Sequence, residues 1–182
     1  MEETLHWQPA ATHTELLAGP VAEAVRALAD DDVHVAAIDP GLADTAAFCE
    51  KYGVALDESA NCVIVAGKRG GEVRYAACMV LATMRADVNG VIRKHLDVRK
   101  SSFAPMTEAV ELTGMEYGGI TPLGLPADWP ILVDSNVASH NRVVIGSGVR
   151  RSKLAVSGAL LAGLKGAEVL DLATRADATI RH

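Results

Sequence analysis

The chain of 182 residues carries 17 Lys and Arg against 23 Asp and Glu, a formal charge of −6, and 49% of it is hydrophobic. That length and apolar content suffice for one domain with a full core and no disulfide or metal staple, while the acidic balance argues against a broad nucleic-acid footprint made of many phosphate contacts. Cys49, Cys62 and Cys78 are odd in number and widely spaced, with no histidine pair at ligand spacing; neither a disulfide framework nor a zinc site is indicated, and no metal or cofactor is expected.

No apolar run approaches the ~20 residues of a membrane span, and the first dozen residues lack a basic segment followed by an apolar one. The expectation is therefore a cytoplasmic protein with no membrane partner.

In chain order, Pro20 opens a helix whose stripe is Val21, Ala24, Val25 and Leu28, ended by Asp30 to Asp32. Val33 to Ile38 reads as a strand. Asp44 is placed to cap a helix through Tyr52, with Gly53 as its stop. Cys62 to Ala66 and Val73 to Thr83 are β-rich and flank Gly67 to Gly71, which predicts an antiparallel hairpin. Asp87 caps a helix carrying Val88, Val91, Ile92 and Leu96; a short strand at Ser101 to Ala104 and a helix from about Thr107 to Leu112 follow, with Gly114 as the stop.

Ile131 to Asp134, Val143 to Ile145 and Lys153 to Val156 read as strands, Ala159 to Leu164 as a short helix, and Glu168 to Leu172 as a strand placed to close the sheet. Thr174 to His182 is polar and is expected to fray. Strands interleaved irregularly with helices favour an α+β domain over a parallel βαβ array.

The segment Leu112 to Gly124, LTGMEYGGITPLG, holds four glycines around Pro122. Such a loop presents backbone N–H and C=O groups to a ligand, although a Gly-Gly pair before proline is also an ordinary turn. A Cβ added at Gly118 or Gly119 is expected to obstruct a ligand there while leaving the fold intact.

The order of blocks, from Ala77 to Thr83, through Thr113-Gly114 and Gly118 to Gly124, to Leu132-Val133-Asp134 and Ile145 to Gly148, resembles the YbaK family of prolyl-tRNA-synthetase-associated domains. The resemblance runs from about residue 14 to about residue 172. It implies a single domain over residues 1–182, with a short N-terminal extension, built as a mixed, curved, barrel-like sheet surrounded by helices. It also implies a trans-editing deacylase for mischarged aminoacyl-tRNA, working without a cofactor as a monomer or weak dimer. The implied partner is the acceptor end of tRNA, with an aminoacyl-tRNA synthetase as a second candidate. Gly118 to Pro122 would hold the charged 3′-terminal adenosine. The sequence departs from the family at Asn61, where many members carry a lysine.

Hydrolysis of the ester needs an attacking water and donors for the oxyanion, not an enzyme nucleophile. Ser147 lies in Gly-Ser-Gly rather than a nucleophile elbow, and no histidine has a partner context, so a triad is not indicated. Gly118, Gly119 and Thr121 are the catalytic candidates. Asn61, Tyr117, Ile120, Pro122, Asp134, Gly146, Ser147, Gly148 and Lys153 are the substrate-binding candidates. Asp134 reads equally as a turn residue, Tyr117 as a base-stacking or core aromatic, and Lys153 as a surface lysine or as the cation that Asn61 lacks.

Basic groups at Lys68-Arg69, at Arg93, Lys94, Arg99 and Lys100, and at Arg150, Arg151 and Lys153 read as solvated faces or as a small footprint for the acceptor end alone. A non-catalytic binder of aminoacyl-tRNA or of a nucleotide is the alternative that Asn61 motivates. A hydrolase of small aminoacyl esters is the one that the acidic charge motivates.

Overall fold

The structure is a computed structural model and describes residues 3–175. A two-residue strand β1 (Gln8–Pro9) precedes helix α1 (Gly19–Leu28). Proline in the first turn starts α1, its face of Val21, Ala22 and Val25 is buried, and Ala29 ends it in the left-handed conformation. Strand β2 (His34–Ala37) leads to α2 (Thr45–Tyr52), which Gly53 stops at φ 67°. Asp44 occupies the expected N-cap position, yet its side chain makes no capping bond.

β3 (Ala60–Arg69) and β4 (Glu72–Leu81) form the predicted hairpin, longer than expected: the strands run on through Gly67 to Arg69, and only Gly70 and Gly71 turn, both at positive φ. Glycine is needed at Gly67 in the strand interior because a Cβ there would lie 2.5 Å from the Val98 side chain and 2.9 Å from Lys100 O. β5 (Met84–Ala86) precedes a single π-helical turn at Val88–Ile92 that continues into α3 (Arg93–Leu96). Asp87 caps it as expected, accepting from the Gly90 and Val91 N–H groups.

The chain continues through β6 (Ser101–Phe103), α4 (Met106–Thr113) with Gly114 as its left-handed stop, β7 (Ile131–Asp134), and α5 (Ser135–Ala138). It finishes with β8 (Val143–Gly146), β9 (Ser152–Val156), α6 (Gly158–Ala162), β10 (Ala167–Leu170) and β11 (Ala173–Arg175).

The architecture is α+β. A five-stranded mixed sheet has the order β10-β7-β4-β3-β6, and a four-stranded sheet has the order β1-β2-β9-β8. A parallel bridge between Ser59 and Val144 joins them. The sheets are mixed and flanked by helices, as expected, without closing into a barrel: β10 pairs in parallel with β7 at one edge, and β6 forms the other. Thr174 and Arg175, expected to fray, pair with Arg85 and Met84, while residues 176–182 lie outside the described residues.

Alternation on the long hairpin divides the core. Ile64, Ala77 and Met79 pack among Val21, Val35, Ala109, Ile145 and Leu154 on one face, whereas Val65, Cys78 and Val80 meet Ile92, Leu96 and Val98 on the other. Beside the first face a smaller cluster of Ile38, Phe48, Cys49 and Val144 seats α2, so that α2, the start of β3, the glycine loop and the β8–β9 turn meet at one end of the molecule.

Candidate functional site

A cavity of about 670 Å³ opens at that end. Its walls come from the start of α2 (Asp44, Thr45), the start of β3 (Asn61, Cys62), the glycine loop (Tyr117, Gly118, Ile120), and Gly146, Arg150 and Lys153 around the β8–β9 turn. Six of the residues expected from sequence therefore meet here: Asn61, Tyr117, Gly118, Ile120, Gly146 and Lys153.

The loop is zipped to the β8–β9 turn backbone to backbone. Glu116 N–H donates to Gly148 O at 2.8 Å, and Gly148 N–H donates to Gly119 O at 2.7 Å. The Glu116 carboxylate accepts from Arg150 N–H at 2.8 Å, and the Arg150 guanidinium donates to Tyr117 O at 3.1 Å. Most of the glycines serve this approach rather than a ligand. A Cβ on Gly119 would lie 2.8 Å from Val149 O, and one on Gly146 would lie 2.5 Å from Gly119 O. The expectation that a Cβ at Gly119 would spare the fold is overturned by that contact.

Gly118 differs: it is exposed at φ 83°, and its Cβ would meet only the flexible end of Arg150. The Gly119 N–H is taken by Glu116 O at 3.0 Å, so it is no oxyanion donor; among the described residues no backbone acceptor takes the N–H of Gly118 or Ile120.

Lys153 is the most unusual group. It sits on β9, whose five residues are all buried, and is itself 7% exposed. Its Nζ donates to Ala43 O at 3.0 Å and lies 5.3 Å from the Phe48 ring centroid. Among the described residues no carboxylate lies within salt-bridge distance of it. Burial pushes its pKa below the ordinary lysine value; Arg150 acts in the same direction, and Cys49 and Asp44 oppose. An ammonium with one carbonyl partner has two further donors, and Lys153 lines the cavity.

Asn61 Oδ1 accepts from Thr45 Oγ1 at 2.7 Å, which ties the start of β3 to the first residue of α2. Cys62 also lines the cavity, but burial raises its thiol pKa far above neutrality and leaves it a poor nucleophile. Tyr117 is 56% exposed at the rim.

The remaining expected residues lie elsewhere. Thr121 is fully buried beneath the loop, its hydroxyl without a hydrogen-bond partner among the described residues. Pro122 lines a separate cavity of about 270 Å³ with Leu28, Trp129 and Leu164. Asp134 caps α5, accepting from Asn136 N–H at 3.2 Å and Leu172 N–H at 3.1 Å. Ser147 is buried and donates to the carbonyls of Val149 and Ser152. Gly148 packs on Ala18 and Val21. Sequence reasoning placed Arg150 only within a basic cluster and Asp44 only as a cap. The signal for Arg150 was its position two residues after Gly146-Ser147-Gly148, where the turn brings it back to the loop.

The fold and this cavity define an α+β domain with a polar, cation-bearing site suited to an acyl or phosphoryl oxygen. Residues 39–164 match the aminoacyl-tRNA editing domain, and the chain belongs to that family. Its fold is similar to that of a hypothetical protein of known structure (TM-score 0.75, 24% identity, 85% of this chain and 99% of that one). It is also similar to the structure of a provisionally assigned trans-editing enzyme for prolyl tRNA synthetase (TM-score 0.74, 21% identity, 86% of this chain and 96% of that one). No helix among the described residues is long and apolar enough to cross a membrane.

Proposed function

We propose that the chain is a trans-editing deacylase that hydrolyses the ester joining a wrong amino acid to the 3′-terminal adenosine of tRNA. The observation that carries the reading is the buried Lys153 ammonium, which faces the cavity with donors to spare in a chain of the editing family. The Lys153 cation would stand in for the family lysine that Asn61 replaces.

In this reading the ester carbonyl points at Lys153 Nζ. A water adds to the carbonyl carbon, and the oxyanion that forms is held by the ammonium. The tetrahedral intermediate then collapses with loss of the ribose oxygen, which leaves as a hydroxyl with a proton from the attacking water; the substrate's own amine or neighbouring hydroxyl relays it. A charge-assisted donor in a site shielded from water stabilises such an oxyanion far more than it would in solution. Arg150 at the rim would hold the terminal phosphate, Tyr117 would stack on the base, and Leu56 and Ile120 would bound the amino-acid side chain.

The alternative, a binder without turnover, is favoured by one observation: Asn61 is bonded to Thr45 rather than held free for substrate. A panel of mischarged tRNAs incubated with catalytic amounts of protein separates the two. Repeated release of free amino acid from at least one substrate is the expected result, and protection of every ester without release would contradict the enzyme.

A further inference from the structure

The cavity leaves unexplained a second charged region at the opposite end of β3. Seven of the 17 Lys and Arg fall in residues 68–74 and 93–100, with only Glu72 and Asp97 as acidic company, although the chain as a whole is at −6. The fold joins these segments. Gly67 pairs with Ser101, Arg69 is bonded to the side chain and carbonyl of Asp97, and Arg74 donates to Leu96 O at 2.9 Å. Lys68, Arg99 and Lys100 are exposed and line one open cleft there, whose wall also carries Glu108, engaged by the Tyr75 hydroxyl.

Between this basic pole and the cavity stands Phe103, one of two phenylalanines in the chain, 59% exposed on the edge strand β6 and paired with Val65. On this short edge strand the Phe103 ring is open to a partner at the sheet edge. Lys68 lies seven residues along β3 from Asn61, roughly 23 Å at about 3.3 Å per residue, with Phe103 near the midpoint.

We infer that the β3–β6 edge is an RNA track, on which Lys68, Arg99 and Lys100 hold backbone phosphates and Phe103 stacks on an unpaired base, with the 3′ end entering the cavity past Tyr117. The occupant follows from charge and spacing. A row of cations with an interposed aromatic platform is the arrangement that single-stranded nucleic acid recognises, and a polyanion is what concentrates cations on one pole of an acidic protein. The inference rests on the tRNA reading above and enlarges it: the protein grips RNA well beyond the terminal adenosine, against the small footprint expected from net charge.

The test compares wild type, the Lys68→Ala/Arg99→Ala/Lys100→Ala triple variant and Phe103→Ala. It measures binding of uncharged tRNA across a salt series and hydrolysis of a 3′-aminoacyl adenosine too short to reach the track. All four residues are exposed, so folding should be kept. The triple variant should bind tRNA about tenfold more weakly at low salt and lower the slope of log affinity against log salt by about 2–3. Phe103→Ala should lose about fivefold or more without changing the slope. Both should hydrolyse the short ester at the wild-type rate.

Wild-type affinity and slope in the variants overturn the track, even if deacylation is intact, and leave a protein partner for the pole. Track-dependent binding by a protein that hydrolyses no ester keeps the track and defeats the deacylase reading instead. Absence of RNA binding by the wild type defeats both.

Discussion

The two halves of the glycine loop look alike in sequence and do opposite work. Tyr117 to Ile120 turns toward the cavity, with Gly118 open to solvent, whereas Thr121 to Gly124 turns inward, where Thr121 is sealed, Leu123 is in the core and Gly124 lies against the backbone of α1. The first half lines the polar cavity; the second packs against α1 and the core. Glycine at Gly118 leaves room beside Arg150, while at Gly124 it is demanded both by φ 88° and by Pro20 O at 2.4 Å from the missing Cβ.

That contrast gives the largest predicted difference. Gly124→Ala combines left-handed strain with overpacking against backbone and should cost about 2–5 kcal/mol, a fall of roughly 10 °C in melting temperature, with activity per folded molecule unchanged. Gly118→Ala should cost only about 1–2 kcal/mol from its positive φ, because the Arg150 tip can move. Its deacylation should fall about tenfold, since Arg150 is displaced from Tyr117 O. Thermal melts and kinetics on the two variants break the comparison if both lose stability equally or if Gly118→Ala keeps full activity.

Smaller still is Asn61→Ala, which removes the acceptor of the Thr45 hydroxyl and should cost about 1 kcal/mol in a thermal melt. If Asn61 also touches substrate, KM rises while kcat holds; no change in either leaves it a tie between β3 and α2.

Much of the fold was legible because its signals are local. The stop glycines Gly53 and Gly114, the Asp87 cap and the Gly70-Gly71 turn each fix an element boundary by backbone chemistry that sequence displays. The β5–β11 pair was not legible: three residues near 85 meet three near 174, and neither segment is long enough to show a period. The open sheet edge escaped for a related reason, because parallel pairing of β10 with β7 is a long-range event.

At the site, sequence identified the right loop but could not say which glycines face a ligand and which face another strand. It also could not show that the lysine of Ser-Lys-Leu-Ala-Val is buried, since that needs both faces of β9 to be covered. Asp134 and Ser147 are polar residues in apolar runs that turned out to bond their own backbone neighbourhood.

The buried ammonium has a further signature in stability. Its folded pKa is depressed below the ordinary 10.5, so the unfolded chain binds the extra proton between the two values, and stability rises with pH through that window. Below that window the charged lysine is a burden. Lys153→Met should therefore melt higher than wild type at pH 7, and the gap should narrow as pH climbs toward 10.5. A gap independent of pH would show that Lys153 is not desolvated in the folded protein.

The same substitution tests the account most directly through chemistry. Single-turnover hydrolysis of a mischarged tRNA, with tRNA affinity measured in parallel, should show Lys153→Met slower by about a hundredfold while still binding tRNA through the rest of its surface, as expected for loss of an oxyanion donor. A wild-type rate in a stable Lys153→Met protein would contradict it, and would move the ester away from the buried cation that faces this cavity.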